Sequence, residues 1–375
     1  MSDFGLQSLP SLFYLAGVFI ACFSSLLILG KRKKIKADYV LAVWFLMIGI
    51  HLILFMLFFS GSYVKYPYFL GFEVIFPFIH GPILYVYVLC VTGRNPGVKT
   101  ALLHGIPVLM ICILLSQFLM MSPWDKLASY QNGNNGCKSL SKVIKYLMIL
   151  SGIGYVVLSL LAVRKYTKGI SSQYSNTEKI NLNWLYYLIA GIAFIWIAVI
   201  IRNDILIFSI VVLFIVVAAY FGISRVGILD LPVGIDMTED KEEDHEMVKY
   251  QKNSPGDEAI QSIYEKLVYK MEHEKLYKDP ELNLNNIAKV LEVHPNVLSQ
   301  VINSMEQKNF YDYINRQRIE EFKRTVVLQE NQKYTILSLA FECGFNSKTS
   351  FNRNFKKYMN CSPTEFLKSQ SIHME

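Results

Sequence analysis

The stretch Ile336-Leu-Ser-Leu-Ala-Phe-Glu-Cys-Gly-Phe345, continued by Asn346-Ser-Lys-Thr-Ser-Phe-Asn-Arg-Asn-Phe-Lys-Lys357, reads as a short helix, a turn and a second helix. Leu339, Ala340 and Cys343 fall on one face of the first helix, with Ala340 small where another helix must cross closely. Gly344 stands at the turn, where a left-handed backbone costs Gly least. Asn346 is a suitable N-cap for the second helix. Phe351 and Phe355 are four apart and share a buried face. The opposite face carries Lys348, Thr349, Asn352, Arg353 and Lys356. This is the pattern of a helix-turn-helix whose second helix enters a DNA major groove. The competing reading of the stretch alone is an ordinary helical hairpin with a basic solvated face.

A second stretch, 284–303, repeats the pattern. Ile287, Ala288 and Leu291 line the buried face of a first helix, and Glu292-Val-His294 makes the turn. Pro295 suits the first position of a helix. Leu298, Val301 and Ile302 face inward, leaving Asn296, Ser299, Gln300 and Asn303 outward. Asn and Gln match the hydrogen-bonding edge of adenine. Here Glu292 stands where a turn Gly is usual. Between the two stretches, 310–327 predicts one long amphipathic helix, whose Phe310, Tyr313, Ile314, Ile319 and Phe322 are placed to pack against both. A rigid connector of this kind sets two recognition helices about one DNA turn, roughly 34 Å, apart. Upstream, Ile260, Ile263, Leu267 and Met271 give 259–277 a helical spacing. Residues 259–372 carry 16 Lys and Arg against 13 Asp and Glu, and the excess is concentrated in 347–368, which makes a modest, salt-sensitive phosphate binder.

The rest of the chain has a different character. It has 375 residues, of which 53% are hydrophobic and only 18% charged, too apolar for an ordinary soluble protein. The apolar residues crowd the first 220 or so positions as seven blocks: 11–30, 39–60, 68–91, 101–121, 143–163, 184–201 and 205–223. Each approaches the roughly 20 residues a bilayer requires. The alternate loops hold eleven Lys and Arg on one side and five on the other. The richer side is read as cytoplasmic, which sets the amino terminus outside and delivers the carboxy-terminal part to the cytoplasm of a bacterial inner membrane, where DNA is. No cleavable signal peptide is evident at the amino terminus.

Ionisable residues inside such spans are costly and often functional. Glu73 and His80 are seven apart on the third span, and His51 lies mid-span on the second. His104 and Asp204 are nearer span ends. These residues fit either a polar cavity for a ligand or ion, or hydrogen bonds that hold helices together. Pro77 and Pro82 bracket His80 and predict a kink. The loop 122–142, with its turn-rich Asn132-Gly-Asn-Asn-Gly136, reads as a connector. Residues 224–258 form a tether, broken by Leu231-Pro-Val-Gly234 and Ser254-Pro-Gly256 and strongly acidic over 238–246, with an r.m.s. reach of roughly 30 Å. The six cysteines show no zinc or disulfide spacing, Cys137 standing alone in a polar loop. No metal or cofactor is expected, and no catalytic motif is present.

The motifs Leu284-x-x-Ile-Ala, Phe310-x-x-Tyr-Ile-Asn-x-x-Arg, Ile336-x-x-Leu-Ala-x-x-Cys-Gly-Phe-Asn, Ser350-Phe-x-Arg-x-Phe-Lys-Lys and Ser362-Pro-x-Glu-Phe closely resemble the AraC/XylS-type DNA-binding domain of bacterial transcription regulators. The resemblance covers the last 95 or so residues. It implies seven helices, recognition helices in successive major grooves of double-stranded DNA, and transcription regulation. Two departures stand out: Asn360 replaces a usual Gly and Phe322 a usual Ala. A multi-span domain ahead of this one is similar to membrane-bound regulators of Bacteroidetes-type bacteria, and His80-Gly-Pro-Ile-Leu-Tyr-Val-Tyr87 looks like part of that membrane domain.

The expected architecture is therefore all-α. A seven-helix transmembrane bundle (1–223) acts as sensor, an acidic linker (224–258) follows, and an AraC-type domain (259–375) carries helix-turn-helix units near 284–304 and 336–358. The expected function is a membrane-tethered, sequence-specific regulator and not an enzyme. Its expected partners are DNA, the lipid bilayer and a small-molecule or membrane signal. A homodimer formed through the bundle or the 259–277 helix is compatible with the sequence. The rival is a membrane transporter or enzyme with an autoregulatory DNA-binding domain, supported only by Glu73 with His80.

Overall fold

The computed structural model describes residues 3–94, 96–132, 135–176, 182–224, 256–331 and 333–370. The acidic tether, the loop tip at 133–134 and the side chain of Cys137 lie outside the described residues. Among the described residues the chain is all-helical, and the one β feature is an isolated bridge between Tyr174 and Asn283. The chain divides into two compact units, 1–164 with 182–238, and 165–181 with 239–375.

In the first unit, α1 (Asp3–Leu29) packs along α2 (Lys36–Phe59), and α2 packs against α3 (Phe76–Val91). α9 (Asn183–Ile201) and α10 (Asp204–Ser224) pair with each other, and α10 also touches α1. Lys31, in the turn between α1 and α2, bonds Asp38 at 2.6 Å and donates to the Gly222 carbonyl of α10. One ammonium thus ties three helices. α8 (Asn135–Gln173) has 39 residues and extends past the expected 143–163 at both ends. It approaches α9 at Gly152, where a Cβ would stand 2.1 Å from the Trp196 ring, so any larger residue would push the two helices apart.

Among the described residues four helices are long and apolar enough to cross a membrane: α2, the 140–173 part of α8, α9 and α10. The third expected span is broken. A 3₁₀ segment over 67–74 meets α3 at 44°, and if that pair is one span the number is five. The bend lies ahead of Pro77, which occupies the first turn of α3 where its missing N–H is harmless. Pro82 lies within the helix instead of breaking it. The expected span 101–121 is also interrupted, into α4 (Val98–Leu103), α5 (Ile106–Leu114) and α6 (Ser116–Leu119), the first break falling at His104-Gly105 just before Pro107. The connector 122–142 contains a helix, α7 (Pro123–Asn132). Ser122 Oγ accepts from the Asp125 N–H at 3.2 Å and Pro123 follows it, a capping signature that the turn-rich tip had obscured.

In the second unit, α11 (Asp257–Tyr269) does not run on to 277 as its spacing suggested. It passes into a π-helical turn (Lys270–Glu274), and Lys275 is left-handed at φ 49°. Then come α12 (Leu284–Val290), α13 (Pro295–Glu306), α14 (Phe310–Val326), α15 (Ile336–Glu342), α16 (Lys348–Met359) and α17 (Pro363–Ser369). The linking helix α14 divides its apolar residues between two cores. Phe310, Tyr313 and Ile314 join Leu267, Met271, Ile287, Ala288, Leu298 and Ile302. Ile319, Phe322 and Val326 join Leu339, Ala340, Phe351, Phe355 and Leu367. Phe322, the departure from Ala, is fully buried with its ring 4.8 Å from Phe351 and 5.8 Å from Phe355.

The caps differ in one place from expectation. Ser347, and not Asn346, caps α16, its Oγ accepting from the Ser350 N–H at 3.0 Å. Asn360 ends that helix at φ 56°, the left-handed conformation its residue type tolerates. The two turns are unequal. Gly344 has φ 98°, and a Cβ there would lie 2.5 Å from the Tyr277 carbonyl oxygen, so both conformation and space demand Gly. Glu292 adopts φ 55° with a side chain in place.

A polar cluster around the buried Glu321 joins α14 to the 275–279 segment. Glu321 accepts from Lys275 at 2.7 Å and from the Tyr277 hydroxyl at 3.1 Å, with Lys278 at 3.0 Å. Burial alone would raise its pKa, but the bonds from Lys275 and Lys278 outweigh it and hold the carboxyl at about 2. Because the folded pKa lies below the unfolded one, this stabilisation is complete at neutral pH and is lost as pH falls from about 4.5 towards 2.

Three stability effects are expected, all readable by amide exchange of the second unit in the full-length protein. Glu292→Gly should stabilise it by about 1 kcal/mol by relieving the left-handed strain, whereas Gly344→Ala should destabilise it by at least about 2 kcal/mol. Glu321→Gln should cost on the order of 2 kcal/mol at pH 7 and make stability less steep between pH 5 and 2. An unchanged acid limb would show that Glu321 is not the titrating group.

Candidate nucleic-acid interface and the polar residues of the bundle

Each helix-turn-helix sets its second helix by the same means. An apolar face is sunk in a core and a cap fixes the start. In α13, Leu298, Val301 and Ile302 are buried, and the His294 ring Nδ1 accepts from the Asn296 N–H at 3.2 Å. The outward face then presents Asn296, Gln300 and Asn303 exposed, with Ser299 half-buried beside them. In α16, Phe351 and Phe355 are buried, and Lys348, Thr349, Asn352, Arg353 and Lys356 are exposed. All nine residues read from sequence as DNA-facing therefore lie on the two outward faces.

They are not equivalent. Arg353 Nη2 donates to the Tyr311 hydroxyl at 2.8 Å, and its guanidinium lies 6.0 Å from the centre of the Tyr311 ring. The same hydroxyl accepts from the buried Asn354 Nδ2 at 2.7 Å. Tyr311, on the linking helix, therefore orients α16 and holds one Arg353 nitrogen while the others stay available. Lys357, the neighbouring cation, is engaged by Asp312 at 2.6 Å, and Tyr358 donates to the Asp312 carbonyl at 2.9 Å. Tyr311 and Asp312 are the residues that sequence reasoning missed. They lie on a helix read only for its apolar stripe, and their partners are more than forty positions away.

Arg318 is the other omission. It is 1% exposed, and burial lowers its pKa to about 10, which leaves it charged at neutral pH. Its Nε donates to the Tyr277 carbonyl at 2.7 Å and Nη2 to the Asp279 carbonyl at 2.8 Å. Nη2 also reaches Ser175 Oγ at 3.1 Å. Ser175 is fully buried in this unit. Its hydroxyl donates to the Leu282 carbonyl at 2.6 Å, and its own carbonyl accepts from Asn315 Nδ2 at 2.9 Å. The residues that follow α8 are thus stitched to the linking helix of the DNA-binding fold. The motif Asn-x-x-Arg supplies Asn315 and Arg318, but nothing local in sequence points to Ser175.

In the first unit, His51, Glu73 and His80 all line one cavity of about 700 Å³. His51 and His80 are brought together, Nδ1 to Nε2 at 3.0 Å, and Trp44 Nε1 donates to His80 Nδ1 at 3.3 Å. Glu73 stands apart, its carboxylate accepting from the Gly71 N–H at 2.8 Å, because the break before α3 takes it off the helix that carries His80. His104 meets the Tyr155 hydroxyl at 3.3 Å. Among the described residues no cluster of His, Cys, Asp and Glu could hold a metal ion.

Residues 287–369 match the profile of a family described as a helix-turn-helix domain. The Msm operon regulatory protein of Streptococcus mutans is 31% identical over 87 residues, 23% of this chain and 30% of that protein. The chain thus spans under a third of that relative's length. No solved structure matches. The carboxy-terminal part of the chain is thus similar to a helix-turn-helix domain, and both this match and the relative support DNA binding in transcription regulation.

Proposed function

We propose that the protein is a membrane-tethered, sequence-specific transcription regulator whose apolar bundle senses a signal and controls the DNA-binding unit. The observation that carries the DNA-binding part is the pair of outward faces on α13 and α16. Each is anchored through an apolar face to the same linking helix and presents amide, hydroxyl and cationic side chains. Asn296, Ser299, Gln300 and Asn303 read bases in one major groove, and Thr349, Asn352 and Arg353 read the next, about 34 Å along the duplex. Lys348 and Lys356 hold phosphates, which carry affinity and no sequence information.

Tethering is supported by the helices long and apolar enough to span and by what they expose. Phe19, Leu150, Phe194 and Leu213 are each at least 59% exposed on helix surfaces, an arrangement suited to lipid and costly in water. With the cation-rich loops in the cytoplasm, the DNA-binding unit lies on the same side of the inner membrane as the chromosome.

Control is supported by Ser175. The backbone that leaves α8 enters directly into bonds with Leu282, Asn315 and Arg318. A displacement of that segment removes two acceptors from the linking helix on which both recognition helices are mounted. The signal therefore needs no passage through the acidic tether.

The tethering reading predicts that the full-length protein stays in the membrane pellet after alkaline carbonate extraction, and recovery in the supernatant would contradict it. For DNA, Gln300→Ala and Arg353→Ala should each weaken binding to a cognate promoter fragment by roughly 1–3 kcal/mol, with little change on unrelated DNA. Tyr311→Phe should reproduce part of the Arg353 loss. Lys356→Ala should weaken both kinds of binding by the same factor and lower the salt slope by about one. Unchanged promoter affinity in the first two variants would show that the helices present other faces to DNA.

A further inference from the structure

The cavity of the first unit has a wall whose hydrogen-bonding polarity can be worked out. An indole nitrogen is a donor only. Trp44 Nε1–H therefore makes His80 Nδ1 an acceptor. In a neutral His80 the proton is then on Nε2, which donates to His51 Nδ1 at 3.0 Å. In a neutral His51 the remaining proton must be on Nε2. That atom is buried and has no hydrogen-bond partner among the described residues. The relay from Trp44 through His80 to His51 thus ends in one N–H donor with nothing to accept it, in a side chain that lines the cavity.

A buried donor without an acceptor costs on the order of 1–3 kcal/mol, which an oxygen brought by a bound molecule would recover. The rest of the wall is apolar around it, with Ile48, Leu52, Phe55, Ile192 and Trp196 among its residues, and about 700 Å³ is within the range of small-molecule sites. Of the other ionisable lining side chains, Lys142, Lys145, Arg202 and Asp204 are exposed, and the half-buried Glu73 carboxylate is held by the Gly71 N–H at 2.8 Å, so the interior offers no cation to an anionic head. We propose that this cavity binds an uncharged lipophile carrying a carbonyl or ether-type oxygen, and that His51, oriented by His80 and Trp44, recognises that oxygen. The proposal rests on the sensor reading given above and names the class of signal it would receive.

Trp44 and Trp196 both line the cavity, so a bound brominated molecule quenches their fluorescence. Full-length protein in phosphatidylcholine nanodiscs would be titrated with three probes: 12-bromododecan-2-one, 1-bromododecane and 12-bromododecanoate. The ketone should quench at about tenfold lower concentration than the bromoalkane, and the His51→Phe variant should abolish that advantage while leaving bromoalkane quenching unchanged. Trp44→Phe, read through Trp196, keeps the test usable if His51→Phe does not fold. It frees the His80 tautomer and should shrink the ketone's advantage severalfold. Equal quenching by ketone and bromoalkane in the wild type would overturn the proposal. So would tightest quenching by the carboxylate with loss on Lys142→Gln and Lys145→Gln, which would place recognition at the rim. The titration contains no DNA, and promoter occupancy with and without the ketone is read in a separate binding assay, so the two readings fail separately. Selective ketone binding that leaves promoter occupancy unmoved keeps the site and retires the sensor, and absence of selectivity retires the site alone.

Discussion

The second unit depends on a buried guanidinium. Arg318 lies near the middle of the linking helix, where the first apolar core ends and the second begins. Its charge is compensated by carbonyls of the 277–279 segment and by Ser175, with no carboxylate in direct contact among its hydrogen bonds. A buried cation left with too few acceptors is destabilising by several kcal/mol, so the Tyr277 and Asp279 carbonyls must be in place for the fold to hold its shape. Gly344 is part of the same arrangement. A Cβ at that turn would meet Tyr277 O and Arg318 Nε, at 2.5 and 2.9 Å. The turn of the second helix-turn-helix, the segment after α11 and the linking helix are thereby held around one side chain.

This places the residues that follow α8 in an unusual position. Ser175 supplies both a hydroxyl and a carbonyl to the linking helix, at Arg318 and Asn315. The contact is buried and directional, so it is either made or lost. Two recognition helices fixed to one linking helix respond together to whatever alters that helix. Under the control proposed above, a displacement of the docked segment would act on both through Asn315 and Arg318.

The sequence carried much of the carboxy-terminal fold because its signals are local. The buried stripes of 287–291, 298–302 and 339–343, the turn at Gly344 and the left-handed Asn360 follow from spacing and from residue type. The stripe of 310–327 gave both cores, including Phe322. The N-cap moved from Asn346 to Ser347, since both residues are good caps and only the helix register chooses between them. The bundle was less legible. Long apolar blocks give no period to read: the two prolines predict a kink in the third span but not its place at 75, the break at 104–105 leaves no signal in the apolar pattern, and α7 is hidden by the Gly-rich tip that follows it. Tyr311 with Arg353, Asp312 with Lys357, Ser175 with Arg318 and Trp44 with His80 join positions 36 to 143 residues apart. Pairings at that range leave no trace in periodicity.

The central claim is that the segment after α8 governs the DNA-binding unit through Arg318 and Asn315. Genome-wide DNA occupancy of full-length protein carrying Ser175→Trp, beside that of the wild type, tests it most directly. Tryptophan cannot fit the fully buried Ser175 position, while Arg318 retains its bonds to Tyr277 and Asp279. The account predicts the same binding motif, because α13 and α16 are intact, with occupancy at those sites changed severalfold. Identical occupancy in the two proteins would contradict it.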